Sequence, residues 1–214
     1  MMARIRARMG ASQQGQAWMS DERTALRRQL RTARRAITAG ERIAAAERLA
    51  GRLLHLPFAP QTGHVAGYWA MDGEIALHAW QMRLPEGCTY CLPVLHEDGR
   101  LRFAPWRPGA PLVTNQHGIP EPDVAGDALL RPEEMALIVL PVVGFDTRGH
   151  RLGMGGGWYD RSFAFRQSGK APPWLVGAAF SLQQTDALAS ASWDVAMDAV
   201  CSERGTLLFE TTPA

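Results

Sequence analysis

Leu26, Leu30, Ala33 and Ile37 recur at three- and four-residue spacing, the signature of one face of a helix. Ser20, followed by Asp21 and Glu22, supplies a capping hydroxyl and first-turn acids at its start. Arg23, Arg27, Arg31 and Arg34 repeat at similar spacing and line another face of the same helix. Thr38 with Glu41 three residues on forms a capping box, and Ile43, Ala46, Ala50 and Leu53 carry a second helix that stops before Pro57. The pattern then alternates. Strands are expected at 64–70 (HVAGYWA), 89–95 (TYCLPVL) and 101–106 (LRFAPW), the last after the turn Asp98-Gly99, and a helix at 74–84. Residues 107–132, rich in Pro, Gly and Asp, read as a long loop of the kind that is often functional. The continuous apolar run ALIVLPVVGF at 136–145 reads as a buried central strand. A helix from about Gly157, a strand at 174–180, a helical patch at 182–190 and short strands near Val200 and at 206–210 complete the chain. Strands alternating with helices imply a layered α/β domain with a largely parallel sheet. Residues 1–19 lack periodicity and read as a disordered basic tail, leaving 20–214 as one domain.

Charge is unevenly spread. The net charge is +2, but residues 1–52 hold 12 arginines against 4 acids. Three readings of that excess stand: solvated helix faces, contact with a polyphosphate, or contact with nucleic acid. The third lacks interleaved aromatics and any nucleic-acid motif, so no nucleic-acid partner is expected. Positive charge is written almost wholly in Arg, since Lys170 is the single lysine. The three cysteines do not suggest a disulfide framework. Cys88 and Cys91, three apart in a strand, point to opposite faces and make poor joint metal ligands. No stretch is long and apolar enough to span a bilayer, and no apolar region follows the basic N-terminus, so a cytoplasmic location is expected.

The segment PVVGFDTRGHRLGMGGGWYDR (141–161) concentrates the candidate chemistry. It leaves the end of the most buried strand, where ligands bind in open α/β sheets. Gly153, Gly155, Gly156 and Gly157 let the backbone turn sharply and bring N–H groups close to an anion, with Arg148 and Arg151 supplying full charge on its flanks. Asp160 lies where a carboxylate can share Mg²⁺ with phosphate oxygens. The loop ends in neither GK[ST] nor GxGxxG, and a turn whose glycines only permit packing is the competing reading.

FDTRGHRLGMGGGWYDR resembles the signature of the 5-formyltetrahydrofolate cyclo-ligase family, which runs approximately FDxxGxRLGxGxGYYDR. RTALRRQLRTARRAI, YWAMDGEI (68–75), NQHGIPEP (115–122) and WDVAMDAVCSE (193–203) resemble further segments of that family in the same order. The resemblance implies a three-layer α/β/α sandwich with a mainly parallel central sheet, of the CoA-transferase-like kind. It implies an ATP- and Mg²⁺-dependent enzyme of one-carbon metabolism. The expected reaction phosphorylates the formyl oxygen of 5-formyltetrahydrofolate and closes the ring through N10, giving 5,10-methenyltetrahydrofolate, ADP and phosphate. By resemblance, Arg23 and Arg27 reach the ATP phosphates. Arg151, Leu152, Gly153, Met154, Gly155, Gly156, Gly157, Trp158 and Tyr159 wrap the nucleotide, with Arg151 and Tyr159 the implied catalytic residues. Asp160 and Asp198 serve Mg²⁺. Glu74 accepts from the pterin, and Trp69, Met154 and Trp158 line its pocket. No membrane or obligate protein partner is implied. The chain departs from the family pattern at Arg23 (Lys in the family), Trp158 (Tyr) and Trp193 (His). A paralogue keeping the nucleotide loop but acting on another substrate shares every glycine-loop feature. Glu74 and Trp69 are what separate it.

Overall fold

The computed structural model describes residues 21–209. The expected tail at 1–19 and the Ser20 cap lie outside the described residues. A helix, α1, covers residues 21–35, and α2 covers Ala39–Leu54 behind the expected capping box, with Thr38 Oγ1 and the Glu41 carboxylate satisfying each other's backbone N–H groups. Strands β1 (Thr62–Ala66) and β2 (Gly87–Leu95) flank a single helical turn, α3 (His78–Gln81), and β3 (Leu101–Pro105) follows. A small hairpin, β4 (Leu112–Thr114) and β5 (Pro120–Pro122), precedes β6 (Met135–Pro141). A second hairpin, β7 (Gly144–Phe145) and β8 (Arg151–Leu152), leads to the short helix α4 (Trp158–Ser162). The chain closes with β9 (Trp174–Ala178), β10 (Ala199–Cys201) and β11 (Thr206–Leu208).

Seven strands form one sheet in the order β11-β10-β9-β6-β1-β2-β3. The five inner strands are parallel; β3 and β11 pair antiparallel at the two edges. Side chains alternate between two cores. Val65, Leu137, Val139 and Val176 face α2 and α3, while Ala66, Ile138, Leu140 and Leu175 face Phe163 and the segment after α4. The α/β expectation with a mainly parallel sheet therefore holds. Cys88 and Cys91 do fall on opposite faces, one against each core.

Several expected elements shrink, each for a tertiary reason. The strand at 64–70 ends at Ala66, because the ladders to β2 and β6 both stop there. The helix at 74–84 reduces to His78–Gln81. Ile75 and Leu77 are buried in alternation with exposed neighbours, and the Ile75 carbonyl accepts from the buried Tyr68 hydroxyl at 2.7 Å instead of closing a helical turn. The 107–132 loop contains the β4–β5 hairpin, with strands too short to show a period. The helical patch at 182–190 is one 3-10 turn, Ser181–Gln183. Beyond it the chain runs extended because buried Gln183 donates to the Val142 and Val143 carbonyls and Thr185 N–H to Phe145 O.

Along the sheet, β1 leads to β2 on one side while β6 and β9 build out on the other. Chains leaving the C-terminal ends of β1 and β6 thus diverge and open a crevice between them. That is the switch point at which α/β sheets bind ligands.

Candidate active site

Three segments meet at this crevice. The first is the chain after β1, from Tyr68 to Glu74. The second is the glycine loop 153–157, delivered by β8. The third is α1, which lies across both. Arg27 Nε donates to the Gly153 carbonyl at 2.8 Å, and its guanidinium stands beside Gly155. Arg23 contacts Asp194 and the Ala189 carbonyl, both at 3.4 Å. Burial, and then the neighbouring Arg23 cation, pull the Arg27 pKa below its ordinary value. Two cations crowded beside a backbone loop are an arrangement that an anion relieves.

Gly157 takes φ +65°, a conformation that favours glycine, while the Arg161 Nη1 that a Cβ would meet at 2.8 Å is the end of an exposed side chain that can swing away. Gly157 caps α4, but α4 is only five residues long. The expected helix dipole behind the loop is correspondingly small, and the loop's own N–H groups and the arginines carry the positive field. Met154, Gly155 and Gly156 are exposed. Trp158 is half-buried, under the Arg161 guanidinium at 5.2 Å and edge-on to His117 of the β4–β5 turn at 6.0 Å. The loop that resembled the family's GIxEP segment therefore leans over the glycine loop.

Arg151 donates to the Asp160 carboxylate and to the Val195 carbonyl, and Val195 N–H donates to the same Asp160 oxygen, Oδ1, at 3.1 Å. Tyr159 follows Trp158 in α4 and stacks on Phe163 at 6.1 Å. Burial pushes its pKa up, the negative charge of Glu74 adds to that, and Arg151 opposes it, so both Glu74 and Arg151 act on its hydroxyl. Glu74 turns Oε2 back to Met71 N–H at 2.9 Å and is largely buried, which raises its pKa. Trp69 is half-buried and meets Trp106 edge-on at 5.7 Å.

Three residues expected at the site, Leu152, Asp198 and Arg148, turn their side chains elsewhere. Leu152 packs with Leu30, Val143 and Leu188 in a small core, and its carbonyl accepts from Val143 N–H, so its side chain is structural. Asp198 precedes β10 and bonds to Leu175 at the start of parallel β9, which puts it at the N-terminal edge of these strands. Its side chain is 2 % exposed, with Arg166 on both oxygens at 2.9 and 3.1 Å and Leu175 N–H on one at 2.7 Å. Buried and shared with a guanidinium at the strand ends away from the glycine loop, this carboxylate has no open side for Mg²⁺, and the expected metal role for Asp198 is corrected to a structural ion pair. Arg148 is likewise held at the β7–β8 turn by buried Asp146 rather than beside the loop. The sequence reading also missed Arg34 and Asp72, although Arg34 belonged to the recognised arginine repeat and Asp72-Gly73 is a turn signal.

The profile of the 5-formyltetrahydrofolate cyclo-ligase family matches residues 19–203. The chain belongs to that family. It is 34% identical over 179 residues to the 5-formyltetrahydrofolate cyclo-ligase of Haemophilus influenzae, covering 82% of this chain and 95% of that protein. The Escherichia coli K12 cyclo-ligase is 33% identical over 174 residues, covering 80% and 94%. The solution structure of Aquifex aeolicus 5,10-methenyltetrahydrofolate synthetase superposes with a TM-score of 0.73 at 26% identity, covering 90% of this chain and 95% of that one.

Proposed function

We propose that this cyclo-ligase family member converts 5-formyltetrahydrofolate and ATP into 5,10-methenyltetrahydrofolate, ADP and phosphate. The observation that carries the reading is that α1 touches both segments at the switch point of the sheet, Arg27 on the glycine loop and Arg31 and Arg34 on Asp72 in the turn that carries Glu74. The formyl oxygen is a poor leaving group. Transfer of the γ-phosphoryl to it makes a good one, N10 then attacks the formyl carbon, and phosphate departs with that oxygen. Such chemistry depends on positioning and charge more than on a protein nucleophile. Burial pushes the Cys91 and Cys201 thiols up to about 12 and about 11, which leaves them unreactive.

In this reading Arg23 and Arg27, with the N–H groups of 153–158, hold the triphosphate, and Arg151 and Tyr159 face the transferred group. Glu74 accepts from the pterin N–H donors beside Trp69, while Met154 and Trp158 cover the ring. Among the described residues no cluster of three or more His, Cys, Asp or Glu side chains stands ready to cage a metal. Asp160 fits Mg²⁺ in the other way that ion is held, by few carboxylates plus phosphate oxygens: both bonds that fix it fall on Oδ1, leaving Oδ2. When bound there, the ion would neutralise phosphate charge. Residues 20–214 form one catalytic domain in this account, in the cytoplasm; three free cysteines suit a reducing compartment.

The test is to mix the purified protein with 5-formyltetrahydrofolate and Mg-ATP and follow the near-ultraviolet band of the methenyl product. The band should need ATP and be lost in Gly157→Asp, which sets a negative charge into the loop. Protein that binds ATP yet gives no band would instead be a paralogue acting on another substrate.

A further inference from the structure

The turn that carries Glu74 is clamped by arginines of α1. Asp72 adopts φ +51°, the only positive φ at a non-glycine position among the described residues, and Gly73 follows at +76°. Glu74 N–H closes the turn on the Met71 carbonyl at 2.8 Å. Arg31 and Arg34 donate to Asp72 Oδ2 at 2.7 and 2.9 Å, Arg35 donates to Oδ1, and Arg34 Nε also donates to the Asp72 carbonyl at 3.1 Å. Arg42 closes the outer side, where a Cβ on Gly73 would lie 2.9 Å from its Nη1.

Arg34 is only 1 % exposed, and its third nitrogen, Nη1, is buried without a hydrogen-bond partner among the described residues. It stands 3.8 Å from Glu74 Oε1. A buried, unpaired donor on a cation is costly, and such a group calls for a physical reason. Anchoring the turn is already accomplished by Nε and Nη2; Nη1 faces the carboxylate alone.

We propose that Arg34 is a positioning residue for folate binding, holding the Glu74 carboxylate ionised and turned to the pterin N–H donors while not itself touching substrate. This rests on the reading of Glu74 as the pterin ligand. Burial drives Glu74 toward its neutral form, which would present a donor where an acceptor is needed. The groups that act on it are Arg31 and Arg34 from α1, Asp72 in its own turn, Tyr68 in the segment after β1 and Tyr159 in α4. The arginines favour its charge, Asp72 opposes it, and both phenols are held neutral by burial. Arg34 therefore lowers the Glu74 pKa, and its loss raises it. Glu74 then takes up its proton at a higher pH, so folate binding is lost earlier as pH falls.

The experiment compares the wild-type chain with Arg34→Met and Arg34→Lys. In Arg34→Met the KM for 5-formyltetrahydrofolate should rise roughly tenfold, with the KM for ATP unchanged. The acid limb of kcat/KM for folate should move up by about one pH unit, and Arg34→Lys should recover most of that shift. In a Glu74→Gln background the same Arg34 change should leave the folate KM unmoved. A folded Arg34→Met protein whose two KM values rise together, or whose acid limb stays in place, overturns the proposal. If Arg34→Met does not fold, Arg34→Gln, which keeps a donor for Asp72 without the charge, is judged by the same criteria. Carbon-13 NMR titration of the Glu74 carboxyl in ligand-free protein separates this inference from the proposed function. A wild-type chain that makes no methenyl product sinks the function, whereas an unmoved Glu74 titration in the Arg34 variant sinks the positioning role.

Discussion

Two arginine–aspartate pairs in this protein look alike in sequence and do different work. Asp198 and Arg166 are both nearly inaccessible at the N-terminal edge of β9 and β10, and every oxygen of the carboxylate is taken. Asp160 and Arg151 flank the glycine loop, Arg151 in β8 before it and Asp160 in the first turn after it, where Asp160 remains 26 % exposed and takes both of its bonds on one oxygen. A closed pair holds strands in register; an open pair leaves a carboxylate able to meet a ligand. What separates them is location relative to the strand ends, which neither residue type nor local sequence announces.

The contrast is broken or sharpened by substitution, beginning with the closed pair. Asp198→Asn strands a buried guanidinium, which costs about 3–5 kcal/mol. Urea unfolding should show the unfolding free energy falling by that amount, and the midpoint with it, while the folate and ATP KM values of the folded fraction stay the same. Asp160→Asn should do the reverse: stability falls by only about 1 kcal/mol, while turnover drops roughly 10- to 100-fold and the Mg²⁺ concentration needed for half-activity rises. Should Asp160→Asn unfold the chain and Asp198→Asn silence a well-folded one, the assignment of the two pairs would be reversed. Arg27→Ala, losing a charged donor at the loop, should raise the KM for ATP about tenfold with little change for folate. The smallest effect is expected at Trp193, which is 67 % exposed. Restoring the family's histidine there should shift stability by less than about 0.5 kcal/mol and leave turnover alone, which a melting curve and one progress curve will check.

Local signals were read well where a local interaction decides the outcome. The Thr38–Glu41 box forms as its residues suggest, and the apolar run at 136–145 supplies the buried β6 over Met135–Pro141, although its last residues pass into β7 of a separate hairpin. The segment 74–84 was misread as a helix because its period is overridden by the Tyr68–Ile75 hydrogen bond, seven residues apart and across a turn. Arg34 was legible only as one more arginine on a polar helix face. Its burial comes from Asp72, 38 positions away, which gathers three guanidinium groups onto one carboxylate.

The sequence by itself determined the α/β class, the strand that ends at the site, the glycine loop and, through resemblance, the family. Each of these is written in contiguous residues whose spacing or conformation has a direct physical cause. Tertiary structure alone decided which aspartate is free to meet a ligand, which arginine is buried, and that one helix touches both the glycine loop and the Glu74 turn. Those facts depend on strand order and on contacts between distant segments, because burial and pairing are properties of neighbours in space.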